Sequence, residues 1–178
     1  MTYFTPIEPG AAHGQAADLL KQVKKTLGSI PDMTKVMANS PALLKSYLAL
    51  FTAVAGGTIP AGTRARLAIA SAEFNGCEYC LSSHTYVGAT TNKVDAAELA
   101  KARRCESDDP HVAALLKLSN TIAANFGDVD ESDISAARQA GVTEEEIGEL
   151  VANLALNTLT NYFNIMARVD NEWPVVPL

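Results

Sequence analysis

The sequence predicts an all-α protein folded as one domain over residues 1–178. Three observations predict it. Apolar residues recur at spacings of three and four along most of the chain, the period of a helix with one buried face. Helix starts are written as cap signals: Ser40-Pro41, Asp109-Pro110, and Thr143 three residues ahead of Glu146. No stretch alternates apolar and polar residues between turn signals, so no sheet is expected. At 178 residues the chain can bury a core without disulfide staples.

The first helix is expected over Ala11 to Leu27, with Leu19, Leu20, Val23 and Leu27 as its stripe and Gly28 as its stop. Pro31 opens a short piece, Asp32 to Ala38. Ser40 then caps a helix with Pro41 at its first position, running through Leu44, Tyr47, Leu48 and Phe51 to Gly56-Gly57. A helix after Ile59-Pro60 reaches Phe74 through Leu67 and Ile69. Asn75-Gly76 is a breaker, and Cys77 starts the next helix, which ends near Thr90. Val94 to Arg104 reads as a short Ala-rich helix. The helix after Pro110 carries Val112, Leu115, Leu116, Leu118, Ile122 and Phe126 on its apolar face and stops at Gly127. Asp133 to Gln139 follows. The longest helix runs from the Thr143 cap to about Val169, and Trp173 to Leu178 is an extended tail. Stretches such as Leu150 to Thr160 are apolar all round, which suits burial on several sides or packing on a second subunit. A homo-oligomer is therefore expected.

Composition narrows the function. Hydrophobic residues make up 48% and the formal net charge is −6, so there is no basic stripe for nucleic acid. No run of 18 apolar residues marks a membrane span. Met-Thr-Tyr-Phe-Thr-Pro lacks the basic segment and apolar core of a signal peptide, which makes the cytoplasm the expected location. In that reducing setting a Cys-x-x-Cys is more often catalytic or metal-binding than structural, and three cysteines do not make a disulfide framework. Gly56-Gly57 lacks the Lys and Ser or Thr of a phosphate loop.

The chemistry is concentrated between Glu73 and His84: Glu-Phe-Asn-Gly-Cys-Glu-Tyr-Cys-Leu-Ser-Ser-His. Cys77 and Cys80 fall in the first turn of a helix, and His84 lies one turn beyond Cys80, on the same face. A free thiol titrates near ~8.5. The helix N-terminus lowers that by about one unit at most in an ordinary exposed setting. A mostly ionised thiol at pH 7 therefore needs a second group. His84 is placed to be that group, as imidazolium or as base, with Glu73 to orient or reprotonate it. A zinc ion held by Glu73, Cys77, Cys80 and His84 is the metal-binding alternative, although structural zinc usually has a second ligand pair. Leu81 after the second Cys excludes covalent haem, and no βαβ pattern surrounds the motif as in a thioredoxin fold. Cys105, after Arg103-Arg104, reads as a plain cysteine, and His13 and His111 as surface residues. Asn161 and Asn164 sit inside an apolar helix, where buried amides need partners.

Glu73, the Cys-Glu-Tyr-Cys run from Cys77 to Cys80, and Leu81-Ser82-Ser83-His84 resemble the AhpD-like, carboxymuconolactone decarboxylase superfamily. The closing Thr160-Asn161-Tyr162-Phe163-Asn164, with Asp170 and Trp173-Pro174, is also similar. The resemblance implies an AhpD-like helical fold, homo-oligomeric assembly and a cofactor-free thiol peroxidase acting on organic or hydrogen peroxides. It implies that Cys80 attacks the peroxide, Cys77 resolves the sulfenic acid to a disulfide, and His84 with Glu73 relays protons. An external thiol reductant, thioredoxin-like or a dihydrolipoyl protein, would close the cycle. In the best-known alkylhydroperoxidase branch the relay carboxylate lies three turns before the first Cys. Ala65 stands there in this chain, between Arg64 and Arg66. The decarboxylase branch lacks the Cys pair, so a non-redox decarboxylase-like enzyme using His84 and Glu73 is the other alternative.

Overall fold

Side chains that satisfy the first free N–H groups of a helix set most element boundaries. In the computed structural model, which describes residues 2–178, Ser40 accepts from Leu43 N–H, Asp109 from His111 and Val112 N–H, and Thr143 from Glu146 N–H. Pro41 and Pro110 occupy first-turn positions where no N–H is missed. The described residues form nine helices and no strand: α1 Gly14–Leu27, α2 Asp32–Met37, α3 Pro41–Ala55, α4 Ala61–Asn75, α5 Glu78–Thr90, α6 Ala96–Ala102, α7 Pro110–Ala124, α8 Glu131–Gln139 and α9 Glu144–Ala167.

α4 is the centre of the molecule. It packs against α5, α6, α7 and α9, while α3 joins α9 to α1 and α2. Its centrality follows from its sequence: Ala65, Leu67, Ala68, Ile69, Ala70 and Ala72 are all buried, and small side chains on several faces admit neighbours from several sides. Leu67 and Ile69 join Leu81, Leu115, Leu116 and Leu150 in the core, each 1% exposed or less.

Helix ends depart from expectation most at two places, while α6 is shorter than Val94 to Arg104 and α8 starts at Glu131, ahead of Asp133. α1 begins at Gly14 rather than Ala11. α7 ends at Ala124, so Phe126, expected on its apolar face, has left-handed φ of 55° and is 99% exposed. No helix among the described residues is long and apolar enough to cross a membrane.

Candidate active site

The α4–α5 junction carries the motif. α4 stops at Asn75 because Gly76 turns left-handed, with φ of 70°, a conformation that costs glycine little. Cys77 is the N-cap of α5, and its Sγ accepts from Cys80 N–H at 3.3 Å. The Cys-x-x-Cys therefore occupies the first turn, as the spacing predicts. Cys77 and Cys80 are joined by a disulfide, with Cα atoms 5.3 Å apart. The two cysteines are 1% and 2% exposed.

Cys80, not Cys77, opens onto a cavity of about 390 Å³. Its Sγ accepts from Asn164 Nδ2 at 3.3 Å, and the same amide lies 3.2 Å from Met33 Sδ. Asn164 Oδ1 is buried without a partner among the described residues. An N–H aimed at sulfur favours the thiolate over the thiol. His84 lines the same cavity. No ring nitrogen of His84 has a hydrogen-bond partner among the described residues. Desolvation pushes its pKa down to about 4, so at pH 7 the ring is neutral.

Glu73 is not brought to this cavity. Arg103, the C-cap of α6, takes its carboxylate in a two-pronged pair, Nε–Oε2 2.7 Å and Nη2–Oε1 3.2 Å, and Arg103 also donates to Pro177 O at 2.9 Å. The helix break explains the separation: Glu73 and His84 lie on different helices, and the turn at Gly76 sends the end of α4 outward. Nor do the four motif residues surround a common point. Among the described residues no three His, Cys, Asp or Glu side chains are grouped to hold a metal.

The C-terminal tail lies over α5. Asn171 Nδ2 and Val176 N–H both donate to Ser82 Oγ, at 3.2 and 3.0 Å. Glu172 accepts from the Tyr79 hydroxyl at 2.9 Å and from Asp32 N–H at 3.0 Å. Burial, with the Glu172 charge beside it, raises the Tyr79 pKa, so this phenol stays protonated and holds position. Cys105 is also pushed up, by burial and Glu106, and remains a thiol away from the cavity.

Several lining residues carry no sequence motif. Asn153, Asn157, Thr160 and Asn164 form a polar face of α9 turned inward to the cavity. Their spacing of four, three and four was the available signal. Asn161, one of the two amides marked in the sequence, instead ties α9 to α4 through Ser71 O at 3.1 Å.

Residues 41–120, α3 through most of α7, match the carboxymuconolactone decarboxylase family. The whole motif lies inside the match. That segment is similar to the family which the motif resembles. The AhpD-like fold extends beyond the matched segment. An alkylhydroperoxidase AhpD core structure, an uncharacterized peroxidase-related protein from Ralstonia eutropha JMP134, superposes with a TM-score of 0.81 at 21% identity, covering 96% of this chain and 92% of the other. The debrominase Bmp8, in a cysteine-to-alanine variant bound to 2,3,4-tribromopyrrole, gives 0.78 at 21% identity, covering 97% and 92%. An uncharacterized peroxidase-related protein from Silicibacter sp. TM1040 gives 0.77 at 16% identity, covering 96% and 94%. No curated protein sequence gives a significant match.

Proposed function

We propose that this AhpD-like protein is a dithiol peroxidase in which Cys80 attacks and Cys77 resolves. The observation that carries the reading is Cys80 Sγ at the wall of a sizeable cavity, with an Asn164 N–H on the sulfur and a neutral His84 one turn away. In the reduced protein His84, neutral and a weak base, takes the Cys80 proton as attack on the peroxide begins, and Asn164 and the first turn of α5 stabilise the thiolate. The thiolate attacks the outer peroxide oxygen. The O–O bond breaks, and the departing alkoxide takes the proton from His84 and leaves as alcohol. Cys80 is now a sulfenic acid. The Cys77 thiol attacks its sulfur, the S–S bond forms, and hydroxide leaves with the Cys77 proton as water. An external dithiol, thioredoxin-like or dihydrolipoyl, returns the pair to thiols. Glu73 takes no proton in this scheme; its bond to Arg103 holds the tail.

The assembly proposed is a homo-oligomer formed through the outer face of α9, where Val151, Tyr162, Ile165 and Met166 are 45–61% exposed. A second reading draws on the debrominase neighbour and the apolar cavity walls: the same thiolate would remove halogen from an organic halide, again leaving the disulfide. Turnover with dithiothreitol as reductant separates the readings. Peroxide consumption that Cys80→Ser reduces about a thousandfold or more supports the peroxidase; halide release from an aryl bromide without peroxide consumption supports the second. A peroxide rate unchanged in Cys80→Ser removes the first reading.

A further inference from the structure

We propose that Arg64 makes this cavity selective for organic hydroperoxides that carry a carboxylate; the inference rests on the peroxidase reading above. Volume comes first. Hydrogen peroxide is little larger than a water molecule, whose share of liquid is about 30 Å³, and the cavity is about 390 Å³. That is the size of a small-molecule site. Three small residues on one face of α4, Ala61, Ala65 and Ala68, leave the floor open, and Phe51, Leu156 and Val87 supply apolar wall. A hydrocarbon body fits such walls.

Charge comes second. Among the described residues, Arg64 is the one lining the cavity with a full charge at neutral pH, since His84 is neutral and no Asp or Glu lines it. Arg64 has no ion pair within 4 Å among the described residues. Its Nη1 donates to Ile59 O, at the loop before α4. Glu149 is the carboxylate whose charge faces it, and both Glu149 oxygens are committed: Oε1 to Thr58 N–H and hydroxyl at 2.6 and 3.1 Å, Oε2 to Ile59 N–H at 2.9 Å. A guanidinium has five N–H donors in a planar fork and does not deprotonate. One is used, which leaves a fork suited to a carboxylate. Asn153 and Asn157 on the facing helix give neutral polar groups at the same cavity.

The chemistry balances as before: a carboxylated hydroperoxide and two thiols give the carboxylated alcohol, the disulfide and water, with the carboxylate unchanged.

Cumene hydroperoxide and its para-carboxylated analogue test the proposal in two measurements. In dithiothreitol-coupled turnover, the wild-type kcat/KM for the carboxylated peroxide is expected to exceed that for the neutral one by about ten- to hundredfold. Arg64→Met is expected to bring the ratio near one, and Arg64→Lys to restore part of it. Calorimetric binding of the two corresponding alcohols should show the same preference without any reaction. Equal kcat/KM for the two peroxides in the wild type overturns the proposal. So does an Arg64→Met variant that lowers both rates alike, which makes Arg64 a pin for the loop at Ile59. If neither peroxide turns over yet the carboxylated alcohol binds preferentially, anion recognition stands and the peroxidase reading fails.

Discussion

At the scale of single residues, the account turns on how Cys80 is ionised. Asn164 donates to its sulfur. A hydrogen bond to a charged group contributes about 1.5–3 kcal/mol, equivalent to about one to two pKa units. Asn164→Ala is expected to raise the Cys80 pKa by that amount in the reduced protein, read from the pH dependence of alkylation, and to slow peroxide reduction about tenfold at pH 7. An unshifted alkylation profile would leave Asn164 without this role. His84 gives a pH prediction. Its folded pKa is lowered by desolvation to about 4, against about 6.5 unfolded. Between those values the unfolded chain binds more protons, so stability rises with pH there and is lost as pH falls through about 4. Denaturation midpoints across pH 4 to 7 are expected to show this slope and His84→Asn to flatten it. The placement of Cys77, Cys80 and His84 on successive turns of α5 was legible because a residue's neighbours within one helix follow from spacing alone. Glu73 was not, because its partner Arg103 lies 30 residues away in sequence and spacing carries no information about such a pair.

At the scale of elements, Glu149 of α9 pins the loop between α3 and α4. A Cβ added at Gly57 would come within 2.5 Å of the Glu149 carboxylate. Gly57→Ala is therefore expected to displace Glu149 from Thr58 and Ile59 and to destabilise by about 1–3 kcal/mol. In a Glu149→Ala background the same change should cost little, a coupling that a double-mutant cycle with denaturant midpoints measures. A second clamp joins α7 to α9: His111 Nε2 meets Glu146 Oε1 at 2.8 Å, and its Nδ1 lies 3.2 Å from Ala140 O. Glu146 raises the His111 pKa. The clamp is thus fully present below about pH 6.5 and lost as pH rises through the raised folded value. His111 was read as a surface residue because a lone histidine gives no sign of a carboxylate 35 positions on. Helix starts were legible from their caps. Their ends were less so, since α7 stops in irregular turns at Asn125 with no strong breaker before Gly127.

At the scale of the whole molecule, α9 is turned against the usual rule. Its asparagines face the interior and Val151, Tyr162, Ile165 and Met166 face out. The inward polarity belongs to the cavity, and the outward apolar surface is what a subunit contact would cover. Light scattering is expected to give a mass above the 18.8 kDa of one chain, with Ile165→Asp combined with Met166→Asp shifting it toward the monomer. A monomeric wild type would remove the oligomer. The all-α class was legible because helical periodicity is a local property. The cavity was not, because α3, α4, α5 and α9 build it jointly and their packing angles leave no trace in sequence spacing.

The most direct measurement is trapping of the first oxidised sulfur. Reduced Cys77→Ser protein, which cannot close the disulfide, is treated with one equivalent of hydroperoxide and a dimedone-type sulfenic acid probe, and the labelled peptide is mapped by mass spectrometry. The account predicts stoichiometric label on Cys80 and none on Cys105. Label on Cys105 alone, or rapid peroxide loss with Cys80 unlabelled and still a free thiol, would contradict it.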